Sequence, residues 1–132
     1  MVELIRSAEL AGTVPYAYAA VAGGVVFTAG ACPLDAGGNV VAVGDVAGQT
    51  EQVMANLVAA LRAAGAGLTD VTKTTVYVAT TDRADLVAAW DVVRRWFGAH
   101  DAPSTLLGVT VLGYRDQLVE VEATAIRQPP VR

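Results

Sequence analysis

Residues 118–125, LVEVEATA, alternate strictly. Side chains point to opposite faces along a strand, so Val119, Val121, Ala123 and Ala125 share one face while Leu118, Glu120, Glu122 and Thr124 share the other. The first face suits a core. The second carries two carboxylates about 7 Å apart, from the strand rise. The preceding run, joined to this one by a polar turn, behaves differently. Leu106, Leu107, Val109 and Val111 place apolar groups on both of its faces. A strand apolar on both sides needs cover on both sides.

The remaining pattern supplies cover for one side only. Strands are predicted at 17–22 and 25–30 around a Gly23-Gly24 turn. A loop with Pro33, Asp35, Gly37 and Gly38 follows, with room for a short strand at 39–42. Asp45 is a good N-cap for a first helix whose apolar stripe is Val46, Val53, Leu57, Leu61 and Ala64, and Gly65 is placed to end it. Residues 71–79, VTKTTVYVA, read as a β-branched strand. Thr81 or Asp82 caps a second helix with Leu86, Trp90, Val93 and Phe97 along its buried side and Gly98 as its stop. The expected order is β-β-α-β-α-β-β, an α+β fold with two helices on one sheet face. The second cover is expected from other copies of the chain in a closed cyclic oligomer.

The chain has 132 residues, 54% of them hydrophobic, which bounds it to a single domain, 1–132, with a real core. Its formal net charge of −4 argues against nucleic acid as a partner. Residues 10–34 lack charge, but Pro15, Gly23, Gly24, Gly30 and Pro33 interrupt them, so two short strands are expected there and no membrane span. The opening MVELIRSAEL lacks the apolar segment of a secretory signal. A single cysteine, Cys32, makes no internal disulfide, and a reducing cytoplasm is expected. One Cys and one His make no zinc site, and neither Gly37-Gly38 nor Gly65-Ala66-Gly67 has the spacing or lysine of a phosphate-binding loop.

Three segments, PYAYAAVAGGVVFTAG, GDVAGQTEQVMANLVAALRAAGAGLTDVTKTTVYVA, and APSTLLGVTV with LVEVEA, resemble the Rid family of reactive-intermediate deaminases, also called the YjgF family. The likeness spans nearly the whole chain. It implies a chorismate-mutase-like α+β fold. It also implies a homotrimer whose sheets form a central barrel with ligand clefts between subunits. The deaminating branch hydrolyses enamines and imines to 2-oxo acids and ammonia, with no metal or organic cofactor. In that branch an arginine clamps the substrate carboxylate and a glutamate directs water.

Position by position, the family's glutamate matches Glu120, its Pro-Tyr matches Pro15-Tyr16, and its strand-end glycine matches Gly30. The serine before that glycine is Ala29 here. The arginine falls at Pro103, ahead of Ser104 and Thr105, and the helix-two asparagine falls near Trp90. Arginine grips a carboxylate with two parallel charge-assisted bonds, whereas proline has no donor. The resemblance therefore implies a substrate without the usual carboxylate, unless Arg115 approaches from another side.

Each site residue has a second reading. Glu120 either positions water or serves as a structural carboxylate between subunits. Glu122 is expected to hydrogen-bond or face solvent at the trimer centre. Tyr16 and Tyr114 either line the pocket or act as interface and turn aromatics. Ala31 and Cys32 lie beside the expected cleft, and without a basic partner Cys32 reads as a passive thiol. His100 reads as a surface residue. Thr105 either offers a hydroxyl to the cleft or satisfies a strand neighbour. The first functional expectation is thus a cofactor-free imine or enamine hydrolase. A small-molecule-binding trimer without turnover comes second, and a ribonuclease third.

Overall fold

The computed structural model describes residues 1–129. Six strands form one mixed sheet: β1 (Glu3–Ile5), β2 (Ala19–Ala22), β3 (Val25–Thr28), β4 (Val71–Ala79), β5 (Ser104–Val109) and β6 (Val119–Ile126). Helices α1 (Val46–Ala63) and α2 (Arg83–Phe97) separate β3 from β4 and β4 from β5. The spatial order is β1-β2-β3-β6-β4-β5. β4 and β5 run parallel across the α2 crossover, and every other neighbouring pair is antiparallel.

Capping fixes both helices. Asp45 accepts from the Gly48 N–H at 3.0 Å and Asp82, rather than Thr81, accepts from the Ala84 N–H at 2.9 Å. Gly65, with φ +85°, lets the chain turn away after α1 in a backbone conformation other residues resist. Val53, Met54, Leu57 and Leu61 of α1 pack with Ala89 and Val93 of α2 onto Val26, Val76, Val78, Val119, Val121 and Ala125, all buried. The alternation read from residues 118–125 is therefore the core face of β6, the strand inserted between β3 and β4.

The other sheet face has no helix over it. Leu4, Phe27 and Ile126 stand 69%, 49% and 47% exposed there. Thr75, Tyr77, Leu107, Glu120 and Glu122 share it, as the register pairs Tyr77 with Glu120 and with Leu107. The two-sided apolar character of 106–109 has the same origin: Leu106 joins the core and Leu107 points the opposite way.

Five expectations need correction. A strand at Glu3–Ile5 pairs with β2, adding a sixth strand. β2 begins at Ala19, and β3 stops at Thr28, where its pairing with β6 breaks although the Ala29 N–H still donates to the Tyr18 carbonyl oxygen at 2.9 Å. The strand expected at 39–42 reduces to a single bridge between Leu34 and Val40, across a turn in which Asp35 Oδ1 accepts from the N–H groups of Gly37 and Asn39. β5 ends at Val109, leaving Val111 76% exposed beyond it.

Candidate functional site

Where β3 leaves the ladder, its pairing with β6 slips by one residue. Phe27 faces Thr124, but the next bridge joins Ala31 to Val121. Thr28 Oγ1 fills the gap by accepting from the Ala123 N–H at 2.9 Å. Such bulges bend a strand and re-aim its side chains. Here the bulge brings the Cα of Gly30 against the side chain of Glu120. A Cβ built on Gly30 would lie 2.2 Å from Glu120 Oε2 and 2.5 Å from its Cδ.

Glu120 is half-buried, and two neighbours donate to the same oxygen of it. Gln117 Nε2 lies 3.1 Å and Cys32 Sγ 3.3 Å from Oε1. The Cys32 loop is anchored on α1, where Asn56 Nδ2 donates to the carbonyl oxygens of Cys32 and Leu34 at 2.8 and 2.9 Å. The Gln117 turn is anchored there too. Gln49 donates to the Asp116 carbonyl at 2.9 Å and accepts from the Leu118 N–H at 2.8 Å. Tyr16 and Tyr114 close the far side with their hydroxyls 3.0 Å apart.

Together Tyr16, Ala29, Gly30, Cys32, Gly113, Tyr114, Gln117 and Glu120 line an open recess of about 360 Å³. Burial pushes the Cys32 thiol up to about 12, helped by the negative charge of Glu120 and the hydrogen bond to it. Burial, and then the bond to Tyr114, raises the Tyr16 phenol as well. At neutral pH the recess therefore presents a thiol and a phenol as neutral donors beside a carboxylate. No Lys or Arg side chain lines it among the described residues.

The expected site residues divide. Tyr16, Ala29, Gly30, Cys32, Tyr114 and Glu120 converge on this recess, and Ala31 lies just behind it, on a small void that also touches Tyr16 and Cys32. Trp90 lines a separate hollow with Thr74, Phe97 and His100. Pro103 is exposed at the start of β5, where its carbonyl accepts from the Thr74 N–H at 3.0 Å. Thr105 Oγ1 accepts from Lys73 Nζ at 2.6 Å on the uncovered face. Arg115 is exposed and lines neither hollow. Glu122 accepts from the Tyr77 hydroxyl at 2.6 Å. His100, expected at the surface, is half-buried with Nε2 2.8 Å from the Val71 carbonyl oxygen.

Two contributors carried no signal in the sequence. Gln117 sits in a polar turn, and Asn56 on a helix flank. Only the fold reveals that both point inward. Among the described residues no group of three or more His, Cys, Asp or Glu side chains is arranged to hold a metal ion, and no helix is long and apolar enough to cross a membrane.

The family profile for endoribonuclease L-PSP matches residues 6–127. This chain belongs to that family, the YjgF or Rid family. Among curated relatives of the Rid chain, a RutC family protein of Pyrococcus horikoshii is 37% identical over 114 residues, covering 86% of this chain and 88% of its own length. The 3-aminoacrylate deaminase RutC of Acinetobacter baylyi is 33% identical over 111 residues, covering 84% of this chain and 86% of its own. The crystal structure of the Escherichia coli YjgF gene product superposes with a TM-score of 0.82 at 30% identity, over 96% of this chain and 99% of that one. The two helices on a six-stranded mixed sheet are thus the YjgF-type α+β fold.

Proposed function

We propose that this Rid-family chain is a cofactor-free hydrolase that deaminates small imines or enamines, working as a homotrimer in the cytoplasm with the Glu120 recess forming part of a cleft between subunits. The observation that carries this reading is the carboxylate of Glu120 beside Gly30, in a recess that holds donors and, among the described residues, no cation. Water bound to the carboxylate adds to the C=N carbon, forming a C–O bond while Glu120 accepts the water proton. The nitrogen takes that proton back, giving a carbinolamine; Glu120 then accepts the hydroxyl proton and passes it to the nitrogen as the C=O bond forms and the C–N bond breaks, so that a carbonyl compound and ammonia leave. An enamine enters the same course after protonation at carbon.

The proline at position 103 and the lack of a guanidinium in the recess among the described residues support a substrate that carries no carboxylate, since a neutral or iminium-type ligand needs no anion clamp. The phenols of Tyr16 and Tyr114 can donate to an uncharged oxygen of such a ligand. The kinship to a protein named 3-aminoacrylate deaminase supports C–N hydrolysis as the reaction class. The same neutral recess also suits a second reading, binding of a small uncharged ligand without turnover.

The test uses imines generated in situ by amine and amino-acid oxidases, with semicarbazone formation reporting their lifetime. Faster loss of neutral imines with the wild-type protein, abolished by Glu120→Gln without change in native mass, supports the hydrolase. No acceleration with any imine, together with ligand-induced thermal shifts that survive Glu120→Gln, supports the binding module.

A further inference from the structure

We infer that Glu120 works through one oxygen only, Oε2, and that Gln117 and Cys32 are positioning residues that hold the other. The inference rests on the hydrolase reading for its catalytic part and on geometry alone for its structural part.

Oε1 receives both protein donors, the Gln117 amide at 3.1 Å and the Cys32 thiol at 3.3 Å. Gln117 is only 4% exposed, and the orientation of its amide is set from outside Glu120. The Tyr114 N–H can only donate, so the group 3.1 Å from it must be the amide oxygen. The amide nitrogen then has to face the other way, toward the Val119 carbonyl oxygen and Glu120 Oε1, both at 3.1 Å. Cys32 is 7% exposed and is tied through its own carbonyl to Asn56. Its thiol remains protonated through the neutral range and so remains a donor.

Oε2 is different. No described side chain or backbone group donates to it, and it is not sealed from solvent, since no buried side-chain oxygen lacks a partner. It lies over the missing side chain of Gly30. Two donors on one oxygen fix the carboxylate plane, and a glycine leaves the second oxygen room to face a water or substrate nitrogen. A carboxylate held in this way loses no orientation when substrate arrives, which is the source of the rate advantage of a pre-set base.

The experiment has two arms on the purified native assembly. Kinetics on the best imine compare Gln117→Leu, Cys32→Ala and Cys32→Ser. The expected result is a kcat loss on the order of tenfold or more for Gln117→Leu and Cys32→Ala, with KM changed by less than about threefold, and recovery of most of that loss in Cys32→Ser, whose hydroxyl still donates. Equal losses in the Ala and Ser variants, or a loss confined to KM, would overturn the positioning role.

The second arm needs no turnover. Cys32 is the only cysteine, so the pH dependence of its alkylation by iodoacetamide reports one thiol. Gln117 and Tyr16 also influence that thiol and are common to both proteins compared. The midpoint should fall by more than about one unit in Glu120→Gln. An unchanged midpoint means that the thiol does not engage the carboxylate, and the inference fails whatever the kinetics show. A shifted midpoint with no hydrolysis of any imine sinks the enzymatic reading while leaving the one-sided anchoring in place.

Discussion

Gly30 and Glu120 occupy one space: a side chain on the first would overlap the second, its Cβ only 2.2 Å from Oε2. The atoms that would have to yield belong to the Glu120 side chain, not to backbone. Gly30→Ala should therefore fold but push the carboxylate aside. The expected result is a melting temperature within several degrees of wild type, consistent with a cost of about 1–2 kcal/mol, and a fall in kcat/KM on the order of a hundredfold. Calorimetry and the semicarbazone assay check the two halves. Full activity in Gly30→Ala would show that Glu120 has no fixed role.

Pro103 is exposed, and its backbone meets the Thr74 N–H through the carbonyl, which any residue possesses. An arginine there costs the fold little. In the proposed trimeric cleft it would supply an anion clamp that no described residue of the recess provides, so Pro103→Arg should raise kcat/KM toward 2-imino acids by about tenfold or more while leaving neutral imines nearly unaffected. Parallel assays with carboxylated and neutral imines measure the ratio. An unchanged ratio would place position 103 outside the cleft.

Phe27 and Ile126 stand half exposed on the helix-free sheet face, beside the Tyr77–Glu122 hydrogen bond. Burying that face between copies, as in the proposed trimer, would account for its apolar content. Phe27→Glu adds a charge to it and should convert the proposed trimer to monomer, read by light scattering after gel filtration. A monomeric wild type, or a trimer unaffected by Phe27→Glu, contradicts this packing.

The Cys32 thiol has an ordinary value of about 9 and is pushed up to about 12 in the fold. Between those values the unfolded chain has lost its thiol proton while the folded chain keeps it. Stability is therefore fully present below about pH 9 and falls as pH rises toward 12. Tyr16, Tyr18 and Tyr77 are also raised and contribute with the same sign. Cys32→Ser removes the thiol share, so its melting temperature should decline less steeply than that of wild type from pH 9 upward in a series of thermal melts. Parallel declines would show that burial, not titration, governs Cys32.

Patterns that repeat were readable in advance. Alternation over residues 118–125 identified the core face of β6, and Asp45, Gly65, Asp82 and Gly98 marked helix ends because capping chemistry is local. β1 was not readable, since Glu-Leu-Ile is too short to show a period. Nor was the slip between β3 and β6, which depends on the Thr28 hydroxyl meeting a strand far away in sequence. Glu120, Tyr16 and Gly30 were found through family likeness, and alternation alone marked Glu120 as an odd charge on a sheet face. Gln117 was missed because a glutamine in a turn looks solvated until the fold buries it. The separation of Trp90 from the recess arises from three dimensions as well, since α2 packs over β4 and β5 at a distance from the bulge.

β6 sits in the middle of the sheet, yet it follows every other strand along the chain. While a ribosome is still making residues 119–126, β3 and β4 each lack their shared partner, and Val26, Val76 and Val78 lack the strand that packs between them. The nascent protein must wait with two open edges, a state that invites association with other unfinished chains and with chaperones. Glu120 arrives on that same closing strand, so a prematurely terminated copy lacks both its hydrophobic keystone and the carboxylate of the proposed reaction.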